Sequence, residues 1–381
     1  MRRLLQRAPR RAMIAVKSSP YLIGVCGILA IIILLSLRSS PEASDTASQK
    51  WSHSSKLGSS SSLSNHNYET ATWDRLKIDI TSEIGRSSNS TLGFEKVFVL
   101  GLKERSDKKD AMLLSASLTG FQVEFVDAVK GEEVLDKVRP PGLDLSGPVL
   151  GSWRSHLNVI RSIVENNLAS AFIMEDDVDW DIRLLSQLPE FAKGVRFVSE
   201  IPPKKAQHSP YGDDWDVLWP GHCGDVLPEN DNRKYMIQQD ETVAPKTQQG
   251  WLKALADYPE KTRIVHRAGA PICTFGYAVS YRGAQKILFA LGIKAGSNLA
   301  IDNSLAYLCR DGFLDMKCFS VEPQLFQHHR PAGSVSKDSD INGGADPNVV
   351  REKGFTEMIV WSARLNLEQL IKGSTDYVMQ W

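Results

Sequence analysis

The chain has no CxxC pair among its five cysteines, which removes the usual ligand spacing of a structural zinc site. It has no net charge either: Lys and Arg total 45, as do Asp and Glu, so nothing in the balance points to nucleic acid. No internal repeat recurs along the 381 residues, so a repeat array is excluded. Charge is also missing locally, from residues 21–37, which are rich in Ile, Leu, Val and Gly. From there to about Gly93 large apolar residues are scarce, and Ser, Thr, Asn and Ala dominate. Such a composition buries too little surface to form a core.

The uncharged run, as a helix, spans roughly 26 Å at about 1.5 Å per residue, enough for a thin secretory-pathway membrane. Arg2, Arg3, Arg7, Arg10, Arg11 and Lys17 precede it and only Arg38 follows closely. By the positive-inside rule the amino terminus is cytosolic and the rest lumenal. The expected organisation is therefore a cytoplasmic tail (1–20), a signal anchor (21–37), a flexible lumenal stem (38–93), a folded domain (94–331) and a C-terminal extension with a terminal helix (332–381). A Golgi or ER single-pass type II membrane protein results. A cleaved signal peptide is the rival, but no small-x-small site follows Leu37. Asn89-Ser90-Thr91 is a glycosylation sequon in the stem. Cys26 falls in the span, leaving Cys223, Cys273, Cys309 and Cys318 on the lumenal side, where two disulfides are permitted and three pairings are open.

Inside the folded part, Ala171-Phe-Ile-Met174 runs into Glu175, Asp176, Asp177, Asp179 and Asp181. An apolar run of that length reads as a buried strand, and ligands of open α/β sheets gather at the carboxyl ends of such strands. Glu175 and Asp177, alternate residues of extended chain, point the same way and can share one hard divalent cation. The competing reading is a solvated turn with an Asp helix cap.

Around this run, Val97-Phe-Val-Leu100 reads as a strand, Met112, Leu113 and Ala116 as a helical stripe, and Phe121 to Val126 as a second strand. That unit implies parallel pairing. Of Lys103, Arg105, Lys108 and Lys109, those nearest the strand end can meet phosphate. Trp153, Leu157, Ile160 and Val164 recur at helical spacing, with Ser155 and His156 in the first turn. Strands are expected over Asp214 to Trp219, Pro271 to Ser280 and Met316 to Val321, and helices over Gly283 to Leu291 and Phe355 to Ile371. Residues 202–263 read as a long polar loop whose Trp215, Trp219, Trp251 and Tyr258 are candidate sugar platforms. Asp302 opens a helix, as an N-cap or a catalytic base. His328 closes the core, either structural or returning to the cation as a ligand.

In this order, Val97-Phe-Val-Leu-Gly-Leu102 with Arg105 and Asp107, Gly151-Ser-Trp-Arg-Ser-His156, Phe172-Ile-Met-Glu-Asp-Asp-Val178, Gly276-Tyr-Ala-Val-Ser280 with Gly283-Ala284, Asp302, and Pro323 to His328 resemble glycosyltransferase family 25. That family includes lipooligosaccharide and collagen-type galactosyltransferases. The resemblance covers roughly Lys96 to Arg330. It implies a GT-A type α/β domain with a mostly parallel central sheet, and inverting, Mn²⁺-dependent transfer of a sugar, commonly galactose, from a UDP-sugar to a glycan or glycoprotein acceptor. It also implies Glu175, Asp177 and His328 as metal ligands, and Leu100, Arg105, Ser155, His156 and Asp176 at the donor. Asp302 is then the candidate base. Two positions depart from the family's pattern, Gly101 where Asn is frequent and Ser152 where Cys is frequent. The alternatives are a non-catalytic, membrane-anchored carbohydrate-binding or scaffold protein of the same fold, and a metal-dependent phosphate or sugar-phosphate hydrolase.

Overall fold

The polypeptide alternates strands and helices from its first ordered strand. The computed structural model describes residues 78–381 apart from 251, 253, 254, 295–297 and 342–345. The expected tail, anchor and first part of the stem lie outside the described residues. Among those described, no helix is long and apolar enough to cross a membrane.

β1 (Lys96–Gly101), α1 (Ser106–Thr119) and β2 (Glu124–Asp127) form the expected strand, helix, strand unit. There follow α2 (Gly147–Glu165), β3 (Ser170–Glu175), β4 (Val178–Trp180), α3 (Leu184–Val198) and β5 (Val217–Gly221). Next come β6 (Lys234–Ile237), β7 (Arg263–Arg267), β8 (Gly276–Ser280) and α4 (Tyr281–Ile287), which continues as a π-turn over Leu288–Ile293. α5 (Ile301–Arg310), β9 (Cys318–Glu322), β10 (Phe326–Arg330) and α6 (Leu367–Lys372) complete the elements that position the site.

The central sheet runs β2-β1-β3-β8-β5-β9-β7-β6, with β10 alongside β5 and paired to β4. β1 is parallel to β2 and β3, and β5 to β9, as helix-connected strands require. β8 is antiparallel to both β3 and β5, and β7 to β9, so the α/β sheet is mixed. Alternation sorts the side chains into two layers. Val97, Val99, Phe172 and Met174 pack on one face with α1 and α3, and Phe98, Leu100, Ala171 and Ile173 pack on the other with α2, α4 and α5. Gly120 ends α1 in the left-handed conformation, φ 94°, which a side chain at this position would strain.

Several expectations are corrected by burial. The folded domain starts before residue 94, because Leu92 is fully buried, the Tyr211 hydroxyl donates to its carbonyl at 2.8 Å, and Ser88 Oγ donates to Leu185 O at 2.5 Å. The end of the expected stem is thus part of the core. Phe355 to Ile371 is not one continuous terminal helix either. A short strand (Phe355–Thr356) pairs with β10, Ser362 and Ala363 are fully buried, and only Leu367–Lys372 is α-helical. Within 202–263, β5 and β6 are strands, and Trp215 and Trp219 are core residues, not sugar platforms. Trp251 lies outside the described residues.

Cys223, Cys273, Cys309 and Cys318 pair as Cys223–Cys273 and Cys309–Cys318. The second joins the end of α5 to the start of β9. The first closes a 50-residue separation, for which chain entropy predicts about 4 kcal/mol of stabilisation.

Glu322, the last residue of β9, is fully buried; Oε1 accepts the Asp225 N–H at 2.6 Å and Oε2 makes no hydrogen bond. Burial, and then the neighbouring Asp225, push its carboxyl well above the ordinary range. The folded protein therefore keeps a proton that the unfolded chain releases above about pH 4.3, and stability declines as pH rises from there toward the folded value. Glu322→Gln imitates the protonated acid. Calorimetry should give the variant a higher Tm than wild type at pH 8 and an equal one at low pH; equal Tm values throughout would show that Glu322 holds no such proton.

Candidate active site

Three acidic side chains reach the sheet's carboxyl edge because β3 ends at Glu175 and a two-residue turn reverses the chain into β4. The turn holds Asp176 and Asp177. β10 then lies antiparallel to β4, with His328 opposite Val178, which brings its ring back over β3's end. His328 Nε2 is 3.1 Å from Glu175 Oε2 and 3.3 Å from Asp177 Oδ1, and one ligand atom from each of these residues falls within 4.8 Å of the others. Phe275 packs against the His328 ring, centroids 3.8 Å apart. Arg330 Nη2 sits 3.1 Å from Nδ1, leaving Nε2 as the nitrogen that faces the carboxylates.

Glu175 is held from behind. The Thr274 hydroxyl donates to its Oε1 at 2.6 Å, and His156 Nε2 lies 3.7 Å away. His156 is itself buried and bonded through Nδ1 to the Tyr277 hydroxyl at 2.9 Å. Burial raises the Glu175 carboxyl, but the His156 and His328 rings beside it outweigh burial and keep the group well below its ordinary range. Asp176 behaves oppositely. Burial pushes it up to about 6, with Lys108, 3.1 Å from its Oδ1, pulling against that and Asp177 adding repulsion.

Gly101 explains how Asp176 fits. A Cβ built there would stand 2.1 Å from Asp176 Oδ2, so the carboxylate occupies the space that a side chain at the end of β1 would need. Glycine at the position where the resembled family often has Asn is thus required by this packing.

The trio fits a hard divalent cation chemically. Two carboxylates and one imidazole are a donor set used for such ions, and Asp177 Oδ1 is buried with no hydrogen bond. Among the described residues it is the one group of His, Cys, Asp and Glu with this clustering.

The other expected residues divide. Leu100 is buried in β1 opposite Glu175, so its backbone borders the site. Arg105 lies at the start of α1, ion-paired to Asp107 at 2.9 Å and to Asp340 at 2.5 Å. Ser155, expected at the donor, is buried and fully used inside the protein, donating to Gly151 O and accepting from Val129 N, each at 2.7 Å. His156 orients Glu175 and presents no exposed surface. Asp302 accepts the Cys273 N–H at 3.1 Å and shows no contact with the trio; it holds the segment that carries Thr274. The residues 202–263 contribute nothing to the trio.

Thr274, Arg330 and Arg364 are absent from the residues that the sequence singles out, and Lys108 is there only as one of several basic side chains. Arg364 donates to Asp176 O at 2.8 Å and Val178 O at 3.1 Å, clamping the acidic turn. Only Arg330 has a local signal, since it stands two residues after His328 in a strand and so shares its face.

Fold and site together define an α/β domain with an acidic, cation-competent centre at the carboxyl edge of its sheet, an arrangement suited to binding nucleotide phosphates. The comparisons with known proteins agree with the resemblance read from the motifs: the family model "Glycosyltransferase family 25 (LPS biosynthesis protein)" matches residues 94–216. Procollagen galactosyltransferase 2 of Mus musculus is 24% identical over 273 residues, 65% of this chain and 37% of its own length. Procollagen galactosyltransferase 1 of Danio rerio is 24% identical over 273 residues, 65% of this chain and 39% of its own. The human protein named Inactive glycosyltransferase 25 family member 3 is 26% identical over 293 residues, 70% of this chain and 42% of its own. The chain thus spans about two fifths of the length of these relatives.

Proposed function

We propose that the protein transfers a sugar, galactose in the leading reading, from a UDP-sugar to a glycan or glycoprotein acceptor, with inversion and in dependence on Mn²⁺. The observation that carries this is the Glu175, Asp177 and His328 group at the end of β3. The names of the procollagen galactosyltransferase relatives support the donor sugar and a glycoprotein acceptor.

Glu175, Asp177 and His328 would hold the cation, which when bound neutralises charge on a departing nucleoside diphosphate. Thr274 and His156 fix the Glu175 carboxylate in one orientation, so that little reorganisation is needed when the donor arrives. Arg105 and Lys108 supply positive charge for phosphate oxygens at the start of α1. Asp302 remains the proposed base, accepting the proton of the acceptor hydroxyl through its carboxylate.

Asp302→Asn tests that role while preserving an oxygen for the Cys273 N–H. The expected result is a kcat lower by about a hundredfold with unchanged Mn²⁺ affinity. An unchanged kcat with weaker Mn²⁺ binding would instead assign Asp302 to holding the Thr274 segment. The whole reading is tested by UDP release from a panel of UDP-sugars with Mn²⁺ and with chelator.

A lumenal Golgi or ER location with a type II anchor at residues 21–37 completes the proposal. Two disulfides in the folded part suit an oxidising compartment. A mass shift at Asn89 reversed by N-glycosidase is the expected mark of it, and an unmodified Asn89 on the natively expressed chain speaks against it.

The second reading is a non-catalytic member of the same fold, favoured by the similarity to a protein named inactive. It predicts glycan binding with no donor turnover at any Mn²⁺ concentration.

A further inference from the structure

Two cations at the start of α1 converge on one carboxylate from a distant part of the chain. Arg105 Nη1 lies 2.5 and 2.6 Å from the two oxygens of Asp340, and Lys108 Nζ lies 2.8 Å from Oδ2. Arg105 also donates to Lys337 O at 3.2 Å. The same Lys108 ammonium is 3.1 Å from Asp176 and 3.8 Å from Asp177, so Asp340 abuts the acidic centre itself.

The chain that delivers Asp340 leaves β10 directly after His328 and Arg330. It is anchored by pairing of Gly333–Ser334 with Val350–Arg351, and by the Arg351 to Asp338 ion pair at 2.7 Å. It returns to β10 where Phe355 and Thr356 pair with Arg330 and His329. A carboxylate is thereby brought to cations at the sheet's carboxyl edge, although Glu175, Asp176 and Asp177 already crowd that edge with negative charge. Its own side chain keeps 31% of its surface in water, so the contact is an exchangeable one.

We propose that the Asp340 carboxylate holds the place that Arg105 and Lys108 offer to a diphosphate, so that the Asp340 contact and diphosphate binding exclude one another. The inference rests on the nucleotide-sugar reading above. A diphosphate has more charge and more acceptor oxygens than one carboxylate, so it displaces Asp340 from the shared donors instead of binding beside it. Asp340 thus sets a threshold on donor binding, and keeps weaker monoanions out of the cation pair.

The test is titration of the full chain, in detergent and chelator, with inorganic pyrophosphate. Asp340→Asn and Asp340→Ser should each bind pyrophosphate about threefold to tenfold more tightly than wild type, the size expected of ion pairs that water already weakens. Unchanged or weaker binding in variants that keep the wild-type Tm overturns the proposal, because a carboxylate that merely organises Arg105 and Lys108 gives that result. A second measurement needs no variant: saturating pyrophosphate should increase amide hydrogen exchange over residues 333–341 of the wild-type chain, and unaltered exchange there overturns the proposal. Binding without either effect removes the role of Asp340 and leaves the anion site standing. No pyrophosphate binding to wild type or Asp340→Asn removes the anion-site reading as well.

Discussion

On the proposed function, Asp177→Asn is expected to lower metal-dependent turnover of the nucleotide-sugar donor by about a thousandfold, while the fold survives. The trio has two carboxylates, and a neutral amide in place of one weakens its hold on a divalent cation and the charge neutralisation that the cation brings, together on the order of 4 kcal/mol. Structure should be spared, because Asp177 is tied to the rest of the fold through its backbone: its carbonyl accepts the His329 N–H at 2.8 Å, a bond that the substitution leaves intact. Its side-chain oxygens otherwise face the buried Lys108 at 3.8 Å and the half-buried His328 and Arg330 at 3.3 and 3.7 Å. Initial rates across a Mn²⁺ titration, with Tm as the control, check this. Loss of rate at an unchanged Tm is the predicted outcome. A variant with wild-type rate and wild-type Mn²⁺ dependence would mean that Asp177 binds no metal.

The second large effect concerns folding. A fragment limited to residues 94–331 is expected not to fold, whereas residues 78–381 should give one cooperative transition. Asp179 is fully buried, and its carboxylate is satisfied by the Thr356 hydroxyl at 2.6 Å, the Ser362 hydroxyl and the Arg364 N–H at 3.1 Å. Asp181, also fully buried, accepts the Trp361 N–H at 3.0 Å. Ending the chain at residue 331 strips partners from both carboxylates. A buried charge deprived of its partner costs about 3–5 kcal/mol, against a total stability of about 5–15 kcal/mol for an ordinary domain. At the other end, the same fragment loses Leu92 from the core and the Ser88 to Leu185 bond. Circular dichroism melting and limited proteolysis of the two fragments decide the matter. A cooperative transition for 94–331 at the Tm of 78–381 would show that the two ends contribute nothing to the fold.

The parts legible in the sequence are those set by local pattern. Val97 to Leu100 and Ala171 to Met174 are short apolar runs whose alternate residues serve two helical layers, so their strand character shows in the residues themselves. Alternation in extended chain pairs Glu175 with Asp177 correctly but for another reason, since β3 ends at Glu175 and the turn after it brings Asp177 alongside. Trp153, Leu157 and Ile160 show α2 by their spacing. What stays hidden depends on which strands are neighbours. Thr274 reaches Glu175 only because the chain entering β8 runs antiparallel beside β3, a pairing with no local signal. Arg364 comes to the acidic turn from 188 residues beyond Asp176, and Asp340 meets Lys108 across a separation of 232. Contacts at such distances leave no trace in any short window of sequence.

The misread C-terminal segment has a physical reason. Residues 355–371 carry apolar side chains at spacings compatible with a helix, but Thr356 and Ser362 are needed by Asp179, and the Trp361 backbone by Asp181 and Ile182. Satisfying two buried carboxylates outweighs helix propensity, which is worth only tenths of a kcal/mol per residue. Trp215 and Trp219 mislead for a related reason. In a polar stretch they suggest a sugar platform, yet β5 and the residues leading into it lie in the middle of the fold and bury them.

If Glu175, Asp177 and His328 hold a divalent cation on which donor turnover depends, the most direct measurement is UDP release by the full chain. UDP-galactose, UDP-glucose and other UDP-sugars are offered with Mn²⁺ and with chelator, beside the Asp177→Asn variant. The predicted result is release from one donor that requires Mn²⁺ and is lost in the variant. Release that persists in chelator, or a folded protein that binds neither Mn²⁺ nor any donor, would contradict it.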